Sequence, residues 1–254
     1  MIDTKDTDKE HTTCPFSKLK SSKLKSSKLK SSKLKSSKLK SSKLKSSKLK
    51  SSKKTPCPVV NALINMDYLD QNDEWNKEEL QNALKKIKMS RLASFLLTNS
   101  LHNTLKDEKL KFTIKNLQKH NVIEHDASIS REDYHLGDSI LFNKKRFNLI
   151  YKYFKNQKKI TLKEFTEYRY HLYKKSRKEN ENIVFGSKQY SSTLAETCAI
   201  FILLSHDGYL HLDKLQKVFE EETLDNVKIN SINSVNFSIN FLKCVNYWMI
   251  ASFN

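Results

Sequence analysis

A chain of 254 residues has room for one buried core, and 30% charged against 37% hydrophobic residues is the balance of a globular domain. Three glycines and three prolines are too few for an all-β fold built on tight turns. The formal charge of +19 is concentrated in one segment: residues 17–54 hold sixteen lysines and no acid, residues 1–16 two lysines against four acids, and the remaining 200 residues carry only +5. Any polyanion-binding argument therefore reaches the tail and not the folded part.

The organisation expected in chain order is a short polar leader (1–16), a disordered lysine-rich repeat (17–54) and one folded domain (55–254). Met1 is followed by Ile2-Asp3-Thr4-Lys5-Asp6, without the basic and then apolar start of a secretory signal, so cytoplasmic residence is the expectation. No stretch of about 20 apolar residues offers a membrane span. From Ser21 to Lys50 the pentapeptide Ser-Ser-Lys-Leu-Lys recurs six times unchanged. On a helix each leucine would turn about 140° from the last, and on a strand alternate leucines would point to opposite faces, so neither form gains an apolar stripe. Such a segment cannot bury enough surface to offset its ordering entropy. It reads either as a duplicated linker without a partner or as an electrostatic tether to anionic lipid or another polyanion. No aromatics are interleaved to stack on bases, so no specific nucleic-acid recognition is expected.

Past the repeat the pattern becomes helical, and an all-α domain is expected. Cys57 stands between Pro56 and Pro58 and opens the apolar run Val59-Val60-Asn61-Ala62-Leu63-Ile64. Proline at the first helical position gives up an N–H that would be unpaired anyway, and the next free N–H groups can point back at the sulfur. Together with the helix dipole they are expected to lower the thiol pKa and prepare a thiolate for nucleophilic attack or metal binding. The alternative is a small buried hydrophobe. Cys14-Pro15 has no such helix behind it. Further helices are expected over Val59–Tyr68, over Lys77–Ile87 behind an Asn76/Glu79 capping pair, and over Arg91–Leu105, Ser192–Leu204 and Leu210–Glu222. Cys14, Cys57, Cys198 and Cys244 fit neither a disulfide scaffold nor a zinc site by spacing and are expected as free thiols in a reducing compartment.

The segment Ile123-Glu124-His125-Asp126-Ala127-Ser128-Ile129-Ser130-Arg131 places three ionisable groups in a row before a hydroxyl, the composition of a site. Glu196, in Thr193-Leu194-Ala195-Glu196, allows two readings: the closing glutamate of a capping box, or a functional acid entering a buried helix. His206 and His211, in and beside a Ser-His-Asp-Gly turn, are expected to be solvated.

Taken together, PCPVVNALINMDYL, EHDASISRED, AETCAIF and LQKVFEEETL, in that order over roughly residues 55–230, resemble the haem-thiolate peroxidases, the family of fungal chloroperoxidase and the short unspecific peroxygenases. The resemblance implies an all-α domain that binds haem b and uses hydrogen peroxide to oxidise or oxygenate a small organic substrate, or halide. It implies Cys57 as axial iron ligand, Glu196 as distal acid–base group and His125 facing it, with Asp126 fixing the imidazole tautomer. It also implies Glu124, the carbonyl of His125 and the hydroxyl of Ser128 around one divalent cation, with Arg131 pairing a carboxylate or a haem propionate. Three hard oxygens suit Mg²⁺ or Mn²⁺ rather than zinc.

Three positions depart from the family pattern. Its ANHGYL is here Ile64-Asn65-Met66-Asp67-Tyr68-Leu69, its glycine before the distal glutamate is Ala195, and the arginine of its ERLP is Thr223. These leave the ligand set intact but alter the pocket. A catalytically impaired haem-binding or redox-sensing protein on the same fold is therefore the second reading. A non-haem helical protein with a polyanion-binding tail is the third.

Overall fold

Side-chain caps set where the helices begin. Asn76 Oδ1 accepts from the Glu79 N–H at 2.9 Å while Glu79 Oε2 accepts from the Asn76 N–H at 2.7 Å, the expected capping box. Thr161 and Glu164 form a second one. The computed structural model describes residues 53–253 apart from 73, 106–110, 156, 226 and 228. The leader and the repeat as far as residue 52 lie outside the described residues.

The helices are α1 Pro58–Asn65, α2 Lys77–Lys86, α3 Arg91–Leu105, the short α4 Ile114–Leu117, α5 Lys144–Phe147 and α6 Leu149–Tyr153, then α7 Leu162–Glu179, α8 Ser187–Leu204, α9 Leu212–Gln216 and α10 Ser234–Phe253. α9 continues as a π turn, Lys217–Glu221. Helix takes up 57% of the described residues, and the sheets are small, so the domain is all-α as expected. β1 Trp75–Asn76 pairs antiparallel with β2 Lys111–Phe112. β3 Lys159–Ile160, β4 Ser205–His206 and β5 Tyr209–His211 form an antiparallel sheet in the order β3-β5-β4. The β4–β5 hairpin turns through Asp207 and Gly208, both at positive φ (52° and 80°), as a two-residue primed turn requires.

The scaffold of the site is the packing of α7, α8 and α10 on one another. α7 buries Leu162, Phe165, Thr166, Arg169, Leu172 and Ser176, a stripe at helical spacing. α10 seats Trp248 among Tyr170, Tyr173 and Tyr190 at ring distances of 5.3–5.9 Å. Among the described residues no helix is long and apolar enough to cross a membrane.

Four boundaries differ from expectation. α1 ends at Asn65 rather than Tyr68, because the chain turns left-handed at Asp67 (φ 56°). That is where the related motif has its glycine, and Asp is among the residues that tolerate the conformation. α8 begins at Ser187, five residues before the expected start. The segment from Leu210 opens as strand, since Leu210 pairs with both Ile160 and Ser205. Lys53 and Lys54, counted with the repeat, already touch the domain: Lys53 Nζ donates to Asn72, Lys54 pairs with Glu222, and the Lys54 carbonyl accepts from Gln118.

Candidate active site

Cys57 is the N-cap of α1, half-buried, with Pro58 as the first helical residue. The turn that presents it is fixed by a buried knot. Thr55 donates its N–H and its hydroxyl to Asn61 Oδ1 at 2.8 and 2.9 Å, and Asn61 Nδ2 donates back to the Thr55 carbonyl at 2.8 Å. Asn61 Nδ2 also reaches Glu222 Oε1 at 2.8 Å. An asparagine inside an apolar run is thus the clamp of the cysteine turn, a role the sequence reading did not give it.

The expected lowering of the Cys57 pKa is corrected. Burial pushes the thiol up, and the opposing Val60 and Val59 N–H groups do not reverse it; the Glu196 charge adds to the rise and that of Arg131 opposes it. No full capping bond closes on the sulfur, so the helix N-terminus polarises it without ionising it. A bound metal ion changes this balance, because a coordinating thiol is deprotonated outright. In the metal-free chain, iodoacetamide labelling of Cys57 is therefore expected to be slow at neutral pH and to rise only above the ordinary thiol value of about 8.5. Rapid labelling at pH 7, read by mass spectrometry, would mean that the helix N-terminus outweighs burial.

Glu222 gathers the neighbouring charges. Its backbone is left-handed (φ 50°), which turns its carboxylate inward to Asn61, Lys54 and, at 3.6 Å, Arg131 Nη2. Its carbonyl accepts from Asn65 at 3.0 Å. Arg131 is 1% exposed, donates weakly to Ser130, and keeps Nε and Nη2 buried without a hydrogen-bond partner. Cys57, Glu222 and Glu196 all lie within its electrostatic reach.

The loop of residues 123–131 is held from behind. Asp133 accepts from the Ala127 N–H at 2.9 Å and from Ser176 of α7 at 3.1 Å, and Arg146 donates to the Ser128 carbonyl at 3.1 Å and to Ser176 at 2.8 Å. The Asp126 side chain does not orient His125, contrary to expectation. Its two oxygens accept from the Tyr134 and Val184 N–H groups at 2.9 Å each, anchoring the loop. It is the Asp126 carbonyl that lies 2.8 Å from His125 Nδ1. A carbonyl can only accept, so Nδ1 carries the proton and Nε2 is free to face Glu196 at 3.7 Å.

Glu196 sits in the middle of α8, ten residues beyond its N-cap Gly186, so the capping-box reading fails: Thr193 is itself inside the helix. Its carboxylate, 31% exposed, accepts from Arg169 Nη2 at 2.7 Å. Arg169, wholly buried on α7, was not anticipated; its only signal was a cation on the apolar face of an amphipathic stretch. The structure thus brings Glu196, His125 and Arg169 together, with Cys57 and Arg131 in the same electrostatic field.

Glu124 is buried, and Oε2 lies 2.6 Å from His120 Nδ1, while Oε1 has no hydrogen-bond partner. Burial pushes its carboxyl above the usual range, against the His120 bond. The Ser128 hydroxyl accepts from the Ser130 N–H at 3.4 Å. Among the described residues no three His, Cys, Asp or Glu side chains are grouped to hold a metal. A cleft of about 450 Å³ lined by Tyr68, Asp70, Trp75, Glu79 and Lys111 shares no residue with this cluster. His206 pairs with Asp207 at 2.7 Å and belongs to the β4–β5 hairpin.

An all-α scaffold that presents a prolyl-flanked cysteine, a buried arginine and a carboxylate–histidine pair has the parts of a peroxidase. The family described as peroxidase, family 2, matches residues 47–234, about three quarters of the chain, and the chain belongs to that family, the chloroperoxidase family. Membership makes it a peroxidase in general terms, with haem as the cofactor that the family implies. No curated protein matches the chain.

Proposed function

We propose that the chain is a haem-thiolate peroxidase or peroxygenase that uses hydrogen peroxide to oxidise or oxygenate small organic substrates, with halide as a further outlet. The observation that carries this reading is the pairing of Glu196, which cannot be a cap in the middle of α8, with His125 at 3.7 Å and Arg169 at 2.7 Å.

The residues present fit the group. Cys57 offers a half-buried sulfur at a helix N-terminus, a soft donor for haem iron. Arg131 holds two buried N–H groups without a hydrogen-bond partner, suited to a propionate carboxylate. Haem, when bound, supplies the iron that takes up peroxide and the oxidising power that follows. Glu196 takes the proton from one oxygen of hydrogen peroxide and delivers it to the other, which leaves as water. His125 Nε2 accepts or returns a proton beside it, and Arg169 fixes the carboxylate's direction through a charged hydrogen bond.

A divalent cation, Mg²⁺ or Mn²⁺, belongs to the same proposal, held by Glu124, the His125 carbonyl and Ser128. Its support is the unpaired, buried Oε1 of Glu124. The test is peroxide-dependent oxidation of a phenol and of a thioether by the purified full chain, with elemental analysis for iron and for the cation. Turnover with one iron per chain is the expected result. A chain that carries haem but turns over nothing supports the redox-sensing reading instead.

For the tail, contact with anionic lipid or polyanion is proposed on its charge alone. Deleting residues 17–52 should leave haem content and turnover nearly intact and abolish salt-sensitive retention on anionic vesicles. Lys53 and Lys54 are kept because Lys54 pairs with Glu222. A large fall in melting temperature would show that the repeat packs on the domain.

A further inference from the structure

Two cysteines outside the candidate active site, 46 residues apart in sequence, meet in the core. Cys198 of α8 and Cys244 of α10 are both fully buried, with their sulfurs 2.9 Å apart. The contact is within the reach of an S–H···S hydrogen bond, and the two sulfurs stand only about 0.9 Å beyond disulfide bond length. The Thr166 hydroxyl of α7, whose proton goes to the Leu162 carbonyl at 2.8 Å, lies 3.6 Å from the Cys244 sulfur and leaves the two cysteines facing each other. Sequence spacing gave no sign of the pair, because the two residues are joined only by the packing of α10 on α8.

We propose that Cys198 and Cys244 are a peroxide-responsive thiol pair, which closes to an intrachain disulfide and staples α10 to the helix carrying Glu196. Either thiol can donate to the other across the 2.9 Å contact, so either sulfur can attack first, and the steps with Cys244 first hold equally with the two roles exchanged. The Cys244 thiolate attacks one oxygen of hydrogen peroxide, the O–O bond breaks, and the departing hydroxide takes a proton to become water, leaving Cys244 sulfenic acid. The Cys198 sulfur then attacks the Cys244 sulfur, the S–O bond breaks, and the second oxygen leaves as water with the Cys198 proton. Two thiols lose two electrons and one peroxide becomes two waters. Cys198 lies two residues beyond Glu196, about 200° around α8, so the bond forms on the side of the helix away from the carboxylate. The inference stands on the thiol pair and not on the haem reading.

Closing a loop of 46 residues restricts the unfolded chain, and a rise in melting temperature of about 10 °C is expected. The full chain is reduced, or treated with hydrogen peroxide and quenched, then denatured, alkylated with N-ethylmaleimide, digested and analysed by mass spectrometry, with thermal melts in parallel. A Cys198–Cys244 linked peptide that appears with peroxide and disappears with dithiothreitol, together with the higher melting temperature, is the expected result. Cys198→Ser and Cys244→Ser should each lose the linked peptide and the redox-dependent shift; the wild-type comparison decides alone if either variant fails to fold. The proposal is overturned if both cysteines remain alkylated after peroxide, if either is found only as sulfinate, or if the link runs to Cys57 or Cys14.

Discussion

Glu196→Gln is expected to slow peroxide-dependent turnover by roughly 10² to 10⁴ while haem content and spectrum stay unchanged. The amide keeps the size and the hydrogen bond from Arg169 but cannot carry a proton. Because α8 starts at Ser187, no capping function competes for the effect, and the remaining alternative is a salt bridge that only supports the fold. The two roles separate cleanly. Arg169 loses its counter-charge in the variant, so stability falls in either case, by less than the roughly 3–5 kcal/mol of a fully buried pair because Glu196 is 31% exposed. Turnover falls only if Glu196 moves the proton. Stopped-flow mixing of the haem-loaded protein with peroxide, alongside thermal melts, measures both, and an unaltered rate leaves His125 as the one candidate base.

The second large effect is at Cys57. Cys57→Ala should lose haem, or lose any thiolate-type spectrum, whereas Cys14→Ala should change neither. The knot of Thr55, Asn61 and Glu222 does not use the Cys57 side chain, so the variant should fold with the α1 turn intact. Loss of haem with an unchanged melting curve of the metal-free chain is therefore a ligand effect and not a folding one. Thiolate-type absorption surviving in Cys57→Ala would remove the axial assignment.

What the sequence made legible is what short segments encode. The Cys57 turn, the Asn76/Glu79 cap and the 123–131 loop each carry their signal within a dozen residues, and the structure gives each a defined local geometry. What it hid depends on distant partners. Arg169 is a cation on the buried stripe of α7, and nothing in α7 alone says that its counter-charge stands 27 residues later on α8. Glu222 looks like the third acid of a solvated run until its left-handed backbone turns it inward toward Asn61 and Lys54. Asp126 was misread because a side chain and a backbone carbonyl of one residue are equally near a preceding histidine; only the fold shows that Tyr134 and Val184 occupy the carboxylate. The long helices α7 and α10 escaped for opposite reasons: α7 is so rich in charge that its apolar stripe is thin, and α10 is so poor in charge that no polar face marks it.

The central claim is that Cys57 presents a thiolate to haem iron, and the absorption spectrum of the reduced, CO-bound holoprotein tests it most directly. Thiolate ligation gives a strongly red-shifted main band, which histidine ligation does not produce. The account predicts that band in the wild-type chain and its absence in Cys57→Ala. A histidine-type band in the wild-type chain, or no haem in protein purified with haem supplied, would contradict it.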